Sequence, residues 1–307
     1  MNTSVKVTSP SSIANLGPGF DVFAMALNEP VDKVEMSFSE EMNISDVSNF
    51  KNIPRDPHSN SVTLAAKRVF KMAGEERNLD ISIEKNIEIG KGLGSSGASA
   101  AAGAVAANAL LGNPLGEAKL IEAAGFAEEK IAGTAHYDNV AASILGDFVI
   151  IGSSQPLEFE ILDVPEMKLV LAVPGNRAST REGRKSLPKE VRLSDSVSNV
   201  GRACLMVSSL HRGDIESFAR NIVDSIVEPI RTSTMKRVER VKEAAIESGA
   251  LGSAMSGAGP SVFAILEPDD DEGEVKKAMK EAFESEGQEC RVFSTEPGVG
   301  CSIEVEE

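Results

Sequence analysis

The residues best suited to chemistry lie in Gly90-Lys91-Gly92-Leu93-Gly94-Ser95-Ser96-Gly97, just ahead of an alanine-rich run from Ala98 to Leu111. Glycine lets the main chain approach a ligand with no Cβ in the way, and the first amides of a helix lack carbonyl partners of their own. Amides so placed bind anions, and adjacent serine hydroxyls can donate to phosphate oxygens or ligate a hard cation such as Mg²⁺. A triphosphate suits this segment, and so does a ligand-free tight turn before a packed helix. Gly92-x-Gly94-x-x-Gly97 formally satisfies the dinucleotide fingerprint. That fingerprint needs a second strand ending in an acidic residue about 20 positions later. Glu117 instead begins a stretch of helical period, with Leu120, Ile121, Ala124 and Ile131 on one face. GxxxxGK[ST] is absent, and the protein-kinase motifs HRD and DFG are missing, since a glycine interrupts His211-Arg212-Gly213-Asp214.

Two further clusters are rich in glycine and polar residues. Pro10-Ser11-Ser12-Ile13-Ala14-Asn15-Leu16-Gly17-Pro18-Gly19-Phe20-Asp21 sets an amide, Asn15, and a carboxylate, Asp21, in one run of turn formers. Together they could receive a substrate ammonium, or each could satisfy only its own backbone. Gly249-Ala250-Leu251-Gly252-Ser253-Ala254-Met255-Ser256-Gly257-Ala258-Gly259-Pro260-Ser261 leads into apolar Val262 to Leu266. It reads as a helix-to-strand turn or as a loop closing a cleft between domains.

The elements that must position these clusters mix β-branched runs with longer helical periods, which is an α/β or α+β chain. Strands are expected at Val5 to Thr8, Val31 to Ser37, Leu79 to Ile83, Phe148 to Ile151, Lys168 to Val173, Ser261 to Leu266 and Cys301 to Val305. Helices are expected at Ser61 to Met72, Ser96 to Leu111, Glu117 to Ile131, Ser194 to Leu210, Met235 to Ser248 and Glu272 to Glu284. The 307 residues suffice for two domains, and the proline-bearing stretch Pro156 to Glu166 places the division at 1–164 and 165–307. With one tyrosine, no tryptophan and 12 phenylalanines, the core must rest on aliphatic side chains.

A formal charge of −16 disfavours a nucleic-acid partner. Acidic Glu267 to Glu272 reads as a solvated surface run. Three scattered cysteines form neither a zinc pattern nor a disulfide framework, which fits a reducing cytoplasm. No signal peptide or long apolar run stands out, so a chain neither exported nor membrane-spanning is expected.

Taken in order, PSSIANLGPGFD, GKGLGSSGASA and GSAMSGAGPSVFAI resemble the GHMP small-molecule kinases over Pro10 to Leu266. Two departures are Glu88, where the family often has proline, and Gly97, where it usually has alanine; neither removes a phosphate-binding group. The resemblance implies a ribosomal-protein-S5-domain-2-like N-terminal domain and a ferredoxin-like C-terminal domain. The ANLGPGFD form further implies ATP-dependent phosphorylation of the side-chain hydroxyl of L-homoserine, on the route to threonine, by a homodimer. Other readings are a relative acting on mevalonate, a sugar or shikimate, and a non-catalytic metabolite sensor on the same fold.

The resemblance also implies roles. Gly90 to Gly97, including Lys91, Leu93 and Ser95, would hold the ATP phosphates, with Asn60 and Lys85 near the adenine and nucleotide. Ser96 and Glu128 would ligate Mg²⁺, and Glu129 would face elsewhere by about 100° of helix rotation. Arg181 and Arg231 match carboxylate-binding positions, as suits an amino-acid substrate. His136 would help position the carboxylate, Asp138 the ammonium and Asn139 the reacting hydroxyl, although His136 to Asn139 also reads as a helix cap. Thr180 would lie near the transferring phosphate.

Overall fold

A computed structural model describes residues 4–50 and 53–306, without the side chains of Thr180 and Glu306. The first half runs β1 (Ser4–Ala14), β2 (Phe23–Ser39), β3 (Asn43–Ser48), α1 (Ser61–Ala73), β4 (Asn78–Glu84), α2 (Ser95–Leu110), α3 (Glu117–Ala132), α4 (Tyr137–Leu145), β5 (Phe148–Ser154) and β6 (Leu157–Leu162). The second runs β7 (Lys168–Pro174), α5 (Thr180–Lys185), α6 (Leu193–Arg212), α7 (Ile215–Arg220), α8 (Val227–Thr234), α9 (Lys236–Glu247), β8 (Gly252–Met255), β9 (Val262–Leu266), α10 (Gly273–Glu284), β10 (Cys290–Thr295) and β11 (Ser302–Glu306).

The first sheet is ordered β11-β1-β2-β4-β3, with β5 pairing the start of β2 and β6 pairing β5. The second is antiparallel and ordered β10-β7-β9-β8. With α9 before β8 and α10 before β10, that is the split βαββαβ arrangement of the ferredoxin-like fold. Strand alternation sorts β7 between two cores. Val170 and Ala172 join Val238, Val241, Met279 and Phe283 under α9 and α10. Leu169, Leu171 and Val173 face the other way and meet Ile13, Phe23, Met25 and Phe148 of the first half. A third core lies between the first sheet and α1 to α4, where nearly every α2 side chain is buried. Alanine fits there because four packed helices leave little room between axes.

Several expectations need correction. The strand expected at Val31 to Ser37 is only the second half of β2, which starts at Phe23. Within the stretch Pro156 to Glu166 the chain forms β6, leaving 163–167, which contains Val164, as the connection. The short strands β3, β6, β8 and β10 and the helices α5, α7 and α8 were not expected, and α4 appears only in the helix-cap reading of His136 to Asn139. Those helices span six to nine residues, too few turns for a 3.6-residue period to stand out.

Candidate active site

The glycine loop delivers the N-terminus of α2 with its amides bare. Gly94 precedes the helix with φ 65° and makes no side-chain cap bond. A Cβ there would stand 2.1 Å from Ser12 Oγ, and one on Gly92, at φ +80°, would stand 2.1 Å from Ser256 O. Both positions therefore need glycine.

The loop is pinned from below. Lys85, 2% exposed, forms an ion pair with buried Asp32 and donates to Ser95 O at 2.6 Å and Ser99 Oγ at 2.9 Å. Asp32 Oδ1 accepts the amides of Asn86 at 2.8 Å and Ile87 at 2.9 Å. Burial lowers the Lys85 pKa, and the charge of Asp32 opposes that shift. The Ser95 hydroxyl donates to Ile87 O at 2.9 Å, and Leu93 is buried, so these two residues present main chain rather than side chain. The Lys91 ammonium points away from the helix terminus and donates to Gly175 O and Asn176 O, both at 2.7 Å. It ties the loop to the second half of the chain.

Two cavities meet at the start of α2. One, of about 160 Å³, is lined by Ile53, Pro54, Asn60, Ile83, Lys85, Ile89, Ser96 and Ser99, among others. Asn60 is also the cap of α1, accepting from Val62 N at 2.9 Å and donating to Pro54 O at 2.8 Å. The other, of about 120 Å³, gathers Gly90, Gly92 to Gly97, Asn15, Asp21, Glu128, His136, Asp138, Asn139, Arg184, Arg231, Gly257 and Ala258.

Within the second cavity, Glu128 Oε2 meets His136 Nδ1 at 3.1 Å. Burial alone would lower the His136 pKa, but the hydrogen bond and charge of Glu128 raise it overall. Glu128 Oε1 and His136 Nε2 are buried without partners. Glu129 is exposed and lines a different cavity. Asp138 is buried at the head of α4; desolvation, then the charge of Asp21, push its pKa up to about 6. It accepts from Asn139 N at 2.9 Å and Asn139 Nδ2 at 3.2 Å, while Asn139 Oδ1 accepts from Ser12 Oγ at 3.1 Å.

The second half contributes cations and a loop. Arg184 on α5 holds both oxygens of Asp21 at 2.7 Å, and both Arg184 and Arg231 lie over the Phe20 ring. Arg231 donates to Gly257 O at 2.8 Å, and its Nε is buried without a partner. Burial lowers its pKa, with Asp21 opposing.

Two of the sequence-predicted residues whose side chains are described, Lys91 and Arg181, line neither cavity. Arg181 is exposed beside Gly133, outside the cavity, and Arg184 one helical turn later takes the place expected of it. Without knowledge that α5 is a helix, nothing in Thr180 to Lys185 ranks one arginine above the other. Asn15 lines the cavity with its amide engaged, Nδ2 donating to Gly257 O at 3.0 Å and Oδ1 accepting from Asp21 N at 3.3 Å. The Thr180 side chain lies outside the described residues. Asp32 gave no sequence signal, because its role depends on a lysine distant in the chain.

Comparison with known proteins supplies the lineage. The profile for the GHMP kinases N terminal domain matches residues 60–147, and that for GHMP kinases C terminal matches 206–285. The chain is 42% identical to a homoserine kinase of Pyrococcus furiosus, over 96% of this chain and 99% of that protein. The chain belongs to the homoserine kinases of the GHMP family. GHMP kinases are ATP-dependent, which suits the bare helix terminus. A crystal structure of homoserine kinase from Cytophaga hutchinsonii superposes with TM-score 0.92 at 33% identity, covering 99% of this chain and 98% of that one. The L. major mevalonate kinase shares the fold alone, at TM-score 0.71 and 13% identity over 96% of each chain. Among homoserine kinases the feature to explain is how a zwitterion is held beside the phosphates.

Proposed function

We propose that the chain transfers the γ-phosphoryl group of ATP to the side-chain hydroxyl of L-homoserine, giving O-phospho-L-homoserine on the route to threonine. One observation carries this: Arg231, Asp138 and the Arg184–Asp21 pair line one small cavity together with the uncapped start of α2. A zwitterion with a hydroxyl arm has the matching charges. Arg184 and Arg231 take the carboxylate, Asp138 and Asp21 the ammonium, and Asn139 orients the hydroxyl. His136 holds Glu128 in place and offers Nε2 to the carboxylate. The amides of Gly92 to Gly97 take the phosphates, with the adenine toward Asn60 and Lys85 and Thr180 beside the transferring group.

A divalent ion fits the residues present. Glu128 Oε1 is a buried carboxylate oxygen with no partner, and Ser96 lines the same cavity. Mg²⁺ binds through one or two protein oxygens plus phosphates, which one carboxylate and a serine hydroxyl can supply. Bound there, it would neutralise charge developing on the transferred phosphoryl oxygens. No side chain is assigned as general base, because an alcohol held in line can release its proton to phosphate in a loose transition state.

The division at 1–164 and 165–307 remains our domain assignment, supported by the change of sheet between β6 and β7. A cytoplasmic homodimer completes the proposal; among the described residues no helix is long and apolar enough to cross a membrane. A coupled ATP assay with homoserine, mevalonate, galactose and shikimate tests the reading. Turnover with homoserine alone is expected. ATP binding without turnover of any alcohol would favour the sensor.

A further inference from the structure

Arg231 sits on α8, a helix of eight residues, and a helix that short depends on tertiary contacts for its placement. The inner face is engaged through Gly257 O. The other face is held as well: buried Glu228 forms an ion pair with Lys242 of α9 and accepts from Met255 N of β8 at 3.2 Å, while Pro229 and Ser233 line an open cavity of about 840 Å³. The leading end of α8 is fixed separately.

Asp224 holds the leading end. Its Oδ1 accepts from Ile226 N at 2.8 Å, and its Oδ2 accepts from Val227 N at 2.9 Å and Glu228 N at 2.7 Å. A carboxylate facing three amides at a helix N-terminus is a strong cap, since charge and hydrogen bonds act together. Asp224 is fixed in turn by Asn199, a buried residue on α6. Asn199 Nδ2 donates to Asp224 Oδ1 at 2.8 Å, and Asn199 Oδ1 accepts from Ser225 N at 2.8 Å. The same turn backs the Asn15-to-Asp21 loop, because a Cβ on Gly17 would stand 2.7 Å from Val223 N. A long helix thus reaches the substrate arginine through one amide and one carboxylate, neither of which lines the substrate cavity.

We infer that Asn199 and Asp224 are positioning residues for Arg231: their clamp sets the placement of α8, and through it the affinity and selectivity for the substrate carboxylate. The inference rests on the reading of Arg231 as a carboxylate-binding residue. A tilt of α8 about its leading end moves the guanidinium most, while the phosphate loop keeps its own support from the Asp32–Lys85 pair, so the larger effect falls on the substrate carboxylate.

The test compares wild type, Asn199→Ala, Asp224→Ala and Asp224→Ser, the last retaining a capping oxygen. Each is assayed with L-homoserine and with 3-aminopropan-1-ol, the same amino alcohol lacking the carboxylate. The expected result for both alanine variants is a KM for homoserine raised about ten-fold, with kcat, the KM for ATP and turnover of 3-aminopropan-1-ol within about two-fold of wild type. Asp224→Ser should recover part of the loss. If both single variants leave the homoserine KM within about two-fold, or depress both alcohols equally, the clamp has no positioning role. Should Asp224→Ala fail to fold, Asn199→Ala decides alone. A wild-type enzyme that does not prefer homoserine over 3-aminopropan-1-ol overturns the carboxylate reading itself, a failure distinct from that of the clamp.

Discussion

Glu128 and Glu129 are neighbours in sequence with opposite fates, one buried beside Ser96 and the other in solvent. Ser96→Ala and Glu128→Gln should lower kcat by about 100-fold or more, whereas Glu129→Gln should stay within about two-fold. Equal losses from the two glutamates in steady-state kinetics would defeat the metal assignment. Asp138 supplies a pH signature. Its pKa of about 6 means the carboxylate is ionised only above that pH, so the KM for homoserine should fall as pH rises through 6. Asn at this position should abolish that dependence. The raised pKa also fixes a sign for stability. The protonated form suits the folded state, so the benefit is full below the ordinary value of 3.8 and is lost as pH rises to about 6. Asp138→Asn should therefore raise the Tm of the ligand-free protein at pH 7, with the gain vanishing near pH 4.

Between β4 and α2 the chain must turn sharply, avoid Ser12 and Ser256, and leave its amides open. The Asp32–Lys85 pair makes that possible by holding both the turn at Asn86 and Ile87 and the first helical carbonyl. Removing the carboxylate would strand a buried ammonium. Asp32→Ala should cost about 3 to 5 kcal/mol in urea unfolding, and pairing Asp32→Leu with Lys85→Met should recover most of it, because apolar replacement removes both charges. A paired variant as unstable as Asp32→Ala would show that packing volume, not charge, decides the element. The loop geometry was legible in its glycines. The ion pair beneath it was not, since Asp32 lies within β2 and Lys85 just past β4, and they carry no shared motif.

The two halves are not separable bodies. Ile13, Phe23, Met25 and Phe148 share one core with Leu169, Phe218, Phe263 and Ile265, and β11 returns to close the edge of the first sheet against β1. Calorimetry should show a single unfolding transition, with the calorimetric and van't Hoff enthalpies in agreement. Residues 1–164 expressed alone should lack a cooperative transition, because that fragment has neither β11 nor half of the shared core. Two resolved transitions would show that the halves fold independently. A common core also keeps the arginines of one half in register with the phosphate loop of the other.

Much of this was determined locally. Gly92 and Gly94 announce a backbone that a Cβ would obstruct, the alanines of α2 announce close helix packing, and the three motifs in order announce the family. What the chain alone did not determine was the choice between Arg181 and Arg184, the engagement of Asn15 with Gly257, or the link from Asn199 to Arg231. Each depends on which groups distant in the chain meet in the fold. Backbone preference acts over a few residues, whereas a buried hydrogen bond or ion pair exists only once distant segments have packed and excluded water.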